Sequence, residues 1–251
     1  MRDAAARDTP ALSSSRIWRV LAEAAAQGRA ALDEFAAKAI LRDLGIDVAR
    51  GARLAPGGDI SSAIGELAGP FALKGLSDEA MHKTEIGAVR LNVAARDLQS
   101  ACDEIARRME AAGKPLSGFL IEEMAAPGVE MVIGGTTDPQ FGPMIMVGAG
   151  GIFAEIIEDV SFRLCPIDGR DAREMLDELK LAAVLKGARG RPAVADDAIV
   201  DALLKLGGPE GFFTRNADTV AEFDLNPLFV HPDGLTVVDA RIILSEAPAC
   251  P

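Results

Sequence analysis

Apolar residues recur at helical spacing from Arg16 to Leu44, where Ala36, Ile40 and Leu44 repeat every four positions, so one face is expected to pack inward. Gly28 interrupts the run, which predicts two helices, and Gly45 is well placed to end the second. The stretch IDVARGARLA then reads as a strand, and Asp59 with Ser61 and Ser62 opens a short helix. PFALKGLS, residues 70–77, reads as a short buried strand. Leu98, Cys102, Ile105 and Met109 return to helical spacing, and Gly113 closes that helix before the strand GFLIEEM.

Pro127-Gly128 marks a turn and the expected boundary between two lobes. Four strand-like runs follow, VEMVIGG, PMIMVG, IFAEIIED and SFRLCP, separated by Gly, Pro and Asp, which predicts an antiparallel or mixed sheet. Helices are expected at about 171–186 and 196–206, the second ended by GGPEG. AEFDLNPLFV and LTVVDARIIL flank the turn signal HPDG and predict a hairpin. The fold class is therefore α+β in two lobes. Residues 1–15 are expected to be disordered, residues 16–125 to form a first lobe with the leading helices, and residues 126–251 a second lobe.

Composition narrows the class. At 251 residues with 49% hydrophobic content the chain can build a core without staples. Its three cysteines show no metal-ligand spacing and are odd in number, so a reducing cytoplasm fits best. A formal charge of −12 argues against a nucleic-acid partner, which needs Lys and Arg to neutralise phosphates. No run of 18 apolar residues indicates a membrane span, and no GxSxG or HExxH motif indicates a hydrolase.

The candidate chemistry is sparse. Lys74 sits alone in the apolar run PFALKGL, so its ammonium must emerge at a strand end or find a partner, and phosphate is one natural partner. Asp224 and Asn226 share one strand face, and a hairpin brings Asp239 beside them: either a solvated hairpin or oxygen ligands of the kind Mg²⁺ takes with nucleotide phosphates. Gly87 and VGAGGIF are glycine loops able to approach phosphate, and equally ordinary turns. Glu122, Glu123 and Glu130 flank the lobe boundary, where clefts and nucleotides often lie, although adjacent glutamates are ordinarily solvated. His82, in EAMHKTEIGAVRLNV, is a turn residue or a phosphate handler on this reading alone.

In this order the stretches PFALK, HKTEIGAVRLN, IEEMAAPGVEMVIGGTTDPQFGPMIMVGAGGIFAEIIEDVSFRLCP, EFDLNPL and VVDARIIL resemble the ATP-grasp subunit of the NDP-forming acyl-CoA synthetases, from about Ala31 to Leu244. The resemblance implies an ATP-grasp fold binding ATP or ADP between its lobes. It assigns Lys74 to the nucleotide phosphates, Glu123 to the segment around adenine, and Glu130 and Gly87 to the nucleotide. Asn226 and Asp239 become Mg²⁺ ligands, and His82 the acceptor of a phosphoryl group relayed from a partner's phosphohistidine. Lys83 would help keep the His82 imidazole neutral.

The implied activity is acyl-CoA plus phosphate and ADP giving acid, CoA and ATP. The chain lacks a GxGxxG-led unit for CoA, so a CoA-binding α subunit carrying the phosphohistidine loop is the expected partner, in a hetero-oligomer. Two departures stand out: Ala88 follows Gly87 where the family usually has a second glycine, and GGPEG breaks the helix before the last hairpin. A nucleotide-binding regulatory subunit and an ATP-grasp carboxylate-amine ligase are the alternatives, and His82 separates the ligase from the relay enzyme.

Overall fold

The computed structural model describes residues 10–77, 86–151, 159–187 and 192–245, with side chains from residue 16 onward. Two sheets carry the architecture. The first has four strands in the order β2 (Gly51–Leu54), β5 (Gly118–Glu123), β3 (Phe71–Leu76) and β4 (Val89–Val93), all paired antiparallel. Helix α3 (Ile60–Ile64) precedes β3, with Asp59 capping it by accepting the Ser61 N–H.

One face of this sheet is covered by α4 (Leu98–Ala111), whose Leu98, Ala101, Cys102, Ile105 and Met109 are buried as their spacing predicts. They pack on Phe71, Leu73, Phe119 and Ile121. Gly75 is required for this approach: a Cβ there would stand 3.0 Å from Ile105 Cγ2 and closer still to Met109 Sδ. Burial pushes the Cys102 thiol up to about 11, which leaves it a core residue with little thiolate at neutral pH. Gly113, at φ +64, turns the chain out of the helix.

The second sheet runs β1 (Ala31–Leu32), β11 (Ala240–Leu244), β9 (Val220–His231), β6 (Val129–Asp138), β7 (Gly142–Ala149) and β8 (Val160–Leu164), with β10 (Gly234–Val237) also paired to β9. The expected hairpin exists between β9 and β10, where Gly234 faces His231. LTVVDARIIL is two strands, however, because the proline in β9 interrupts the ladder. The Pro227 carbonyl accepts both the Val238 and Asp239 N–H groups, and the chain steps between them before β11 begins.

Helix α2 (Glu34–Asp43) is capped by Asp33, which accepts the Ala36 N–H, and buries Ala37, Ile40 and Leu41. These residues share a core with α1 (Pro10–Ala26) and with Met131, Ile133 and Ile242 of the second sheet. The apolar stripe of the leading helices faces the seven-stranded sheet, so by packing they share its core. IDVARGARLA is strand only at Gly51–Leu54, while Val48 makes one parallel bridge to Val237.

The helix expected at 171–186 is two pieces, α5 (Gly169–Glu178) and α6 (Ala182–Leu185), because the buried Asp159 carboxylate accepts the Lys180 and Leu181 N–H groups and ends the first. Helix α7 (Asp196–Gly207) follows the expected bounds closely, and after the glycine break α8 (Phe212–Arg215) buries Phe212 and Phe213. Residues 1–9, most of IFAEIIED, and His82 with Lys83 lie outside the described residues. Among the described residues no helix is long and apolar enough to cross a membrane.

Candidate functional site

The two sheets meet at a buried quartet of charges. Strand period two puts Lys74 of β3 and Glu122 of β5 on the face away from α4, and there they meet Glu34 and Lys38, one turn apart on α2. The Lys74 ammonium donates to Glu34 Oε1 at 2.6 Å and to the Val238 carbonyl at 2.6 Å, and lies 3.0 Å from Glu122 Oε2. Lys38 Nζ reaches the same three groups: Glu34 Oε1 at 2.8 Å, Glu122 Oε1 at 2.5 Å and the Val238 carbonyl at 2.6 Å. The four side chains are at most 4% exposed, so these ion pairs work with little solvent screening.

The two lysines respond oppositely. Burial pulls the Lys38 pKa below its ordinary value, a shift Lys74 reinforces and Glu34 and Glu122 oppose. Burial also works against the Lys74 ammonium, but Glu34, Asp239 and Glu122 outweigh it and hold its pKa above the ordinary value. Lys74 thus stays charged, and its partners come from within the chain.

Val238 leads directly into Asp239, whose carbonyl accepts the Asn226 N–H at 3.2 Å. The structure therefore brings Lys74, Asp239 and Asn226 into one neighbourhood, with Asp224 two residues along the same strand face. Among the described residues no group of three or more His, Cys, Asp or Glu is arranged to hold a metal. An amide oxygen and a carboxylate on adjoining backbone still suit Mg²⁺, a hard cation that completes its shell with water and phosphate oxygens.

The other candidates stand apart from this centre. Glu123 pairs with Arg50 at 3.3 Å and accepts the Ala68 N–H at 2.9 Å, at the end of β5. Glu130 is exposed at the start of β6, its carboxylate lying over the glycine turn that follows β7: a Cβ on Gly151, at φ +63, would sit 2.6 Å from Glu130 Oε2. The Gly150 N–H donates to the Glu130 carbonyl at 2.8 Å. Gly87 adopts φ +68, a left-handed conformation that favours glycine, with the half-exposed Arg108 guanidinium lying against it. Ala88, next to it, is fully buried in the core of the first sheet and its carbonyl accepts the Gly75 N–H. Its methyl therefore packs inward.

Glu34 and Lys38 are absent from the candidates the sequence offers, and Glu122 is there only as one of three glutamates at the lobe boundary. Glu122 was expected in solvent and is among the most buried acids. A signal existed: Glu34 and Lys38 are four apart on the side of α2 that carries Ala37 and Leu41, a charged pair inside an apolar stripe.

Comparison with known proteins follows the same lines. Residues 23–244 match the family model of an ATP-grasp domain. The chain is 41% identical over 233 residues to the β subunit of acetate–CoA ligase [ADP-forming] II of Pyrococcus furiosus, covering 90% of this chain and 97% of that one. It is 40% identical over 190 residues to acetate–CoA ligase [ADP-forming] I of Archaeoglobus fulgidus, covering 75% of this chain but only 27% of that longer one. Among solved structures, a dinucleotide-forming acetyl-coenzyme A synthetase of Ca. Korarchaeum cryptofilum superposes with a TM-score of 0.75 at 36% identity, over 91% of this chain and 100% of that chain. That protein is in complex with coenzyme A and Mg-AMPPCP, its phosphohistidine segment pointing towards the nucleotide-binding site.

Proposed function

The chain belongs to the ATP-grasp family, on the branch formed by the β subunits of ADP-forming acyl-CoA synthetases, and we propose that it is the nucleotide-handling subunit of such an enzyme. With a partner it interconverts acyl-CoA, phosphate and ADP with carboxylic acid, CoA and ATP. The observation that carries this reading is the meeting of Lys74 with the Val238–Asp239 backbone. A cation from one sheet beside the backbone that carries the proposed Mg²⁺ ligands of the other supports the reading, since a polyphosphate requires such charges together.

In this reading Lys74 neutralises phosphate oxygens, and Glu130 and Gly87 line the nucleotide's path, with Glu123 near the base. Asn226 and Asp239 would hold Mg²⁺, which when bound offsets phosphate charge. His82 is the acceptor. In the ATP-consuming direction its neutral imidazole nitrogen forms the N–P bond as the bond from the γ-phosphorus to the bridging oxygen breaks, and ADP leaves with that electron pair. The other ring nitrogen keeps its proton, and Lys83 disfavours prior protonation of the imidazole.

The acyl and CoA sites belong to a partner. A β-subunit relative is matched over nearly its whole length, whereas a longer relative is matched over 27% of its own. We infer a CoA-binding α subunit with a phosphohistidine loop, joined in a hetero-oligomer. Free Cys102 and Cys165 suit a reducing cytoplasm.

The test mixes the full chain with such an α subunit, Mg²⁺ and γ-labelled ATP, and looks for acid-labile label on His82. His82→Ala should abolish relay. Bound nucleotide without any label, with or without the α subunit, would point instead to a regulatory subunit, and relay indifferent to His82→Ala would exclude the histidine from the mechanism.

A further inference from the structure

The quartet contains a redundancy. Lys38 and Lys74 hold the same three groups, Glu34, Glu122 and the Val238 carbonyl, at 2.5–3.0 Å. Two ammoniums crowded on shared partners repel one another, and one of them already satisfies much of what the partners need. A structural ion pair needs no such duplicate. The two differ in exposure: the Lys38 side chain is 0% exposed, whereas Lys74 is 4% exposed and also feels Asp239.

We propose that Lys38, Glu34 and Glu122 are positioning residues that make the Lys74 ammonium exchangeable. Lys38 remains on both carboxylates and the Val238 carbonyl, so when Lys74 turns towards nucleotide phosphate Glu34 and Glu122 each keep one hydrogen-bonded ammonium, and the excess negative charge left behind is what the turn must overcome. Glu34 is the competitor for Lys74, and its grip sets the cost of that turn. The proposal rests on the reading of Lys74 as a phosphate ligand.

Members of this one cluster should respond in opposite directions. Glu34→Gln weakens the competitor while Lys38 still serves Glu122, so affinity for Mg·ADP should rise severalfold. The charge-neutral pair Lys38→Met with Glu122→Gln leaves Lys74 as the lone cation for Glu34, so affinity should fall about tenfold, the size of one charge-assisted hydrogen bond withheld. Adding Glu34→Gln to that pair should restore affinity towards the wild-type value, a recovery that simple structural damage does not produce.

Calorimetric titration of the full chain with Mg·ADP reads all three variants, and a thermal melt checks that each is folded. The proposal is overturned if Glu34→Gln leaves affinity unchanged or lowers it, and where that variant does not fold, an unchanged affinity in the charge-neutral pair overturns it. Lys74→Met separates the two levels. If it leaves Mg·ADP affinity unchanged, the phosphate role of Lys74 is wrong; if it lowers affinity while Glu34→Gln has no effect, that role stands and the exchange does not.

Discussion

Lys38→Met removes a cation whose side chain has no exposure at all, and leaves two buried carboxylates facing the single ammonium of Lys74. Breaking a buried ion pair from one side costs about 3–5 kcal/mol, because the orphaned charge cannot be solvated. For a chain of this size each kcal/mol lowers the melting temperature by about 2–4 °C, so a drop of roughly 6–20 °C is expected. Glu122→Gln alone leaves two ammoniums against one carboxylate and should cost a comparable amount. The double variant retains one cation and one anion, Lys74 and Glu34, 2.6 Å apart, so its loss should fall to about 1–2 kcal/mol.

Urea titrations of the four proteins in a double-mutant cycle measure this directly. The expected coupling is several kcal/mol, with the double variant more stable than either single one. Additive single losses would refute the reasoning, since they would mean that the four charges do not share one low-dielectric site. A loss under about 1 kcal/mol for Lys38→Met would refute it too, by putting the ammonium in the class of screened surface pairs.

Ala88→Gly, which restores the second glycine usual in the family, should lower stability by about 1 kcal/mol and leave Mg·ADP affinity unchanged, because the methyl it deletes is packed in the first core. A gain in affinity measured by calorimetry would show that the methyl had obstructed the nucleotide. Gly75→Val forces a side chain into Ile105 and Met109 and should cost at least 1–3 kcal/mol by urea titration, and an unchanged midpoint would mean that α4 moves off the sheet freely. Arg163 and Ser161 hold the Glu178 carboxyl down to about 2 from the usual carboxylate range. The contribution of this lowered pKa is full above about pH 4.5 and is lost as pH falls towards 2. The side chain is half exposed, so Glu178→Gln should cost under about 1 kcal/mol at pH 7, with the difference from wild type shrinking below pH 4.5 and vanishing only once the pH is below about 2. A difference that stays at its pH 7 size down to about pH 2 would assign the loss to packing.

The elements that were legible in the sequence are those whose burial follows a single period. Helix α4 shows its stripe in Leu98, Cys102, Ile105 and Met109, and β3 its apolar run, because each packs mainly one face or is buried throughout. The step between β10 and β11 was not legible, since a long apolar run conceals a break that is imposed by Pro227 on the neighbouring strand. The same limit governs the quartet. Lys74 declared itself as a charge in a strand, but Glu34, Lys38 and Glu122 each sit in local contexts that ordinarily face solvent. Their burial is a property of how α2 lies across the join between the sheets.

That join explains why the leading helices, grouped by chain order with the first lobe, share the core of the second. From there Glu34 and Lys38 reach the lysine of β3, the glutamate of β5 and the carbonyl before Asp239 at once. A helix packed with the first sheet alone could hold Lys74, yet it could not tie Lys74 to the backbone of the second sheet. The placement of α2 thus joins the two sheets into one electrostatic unit.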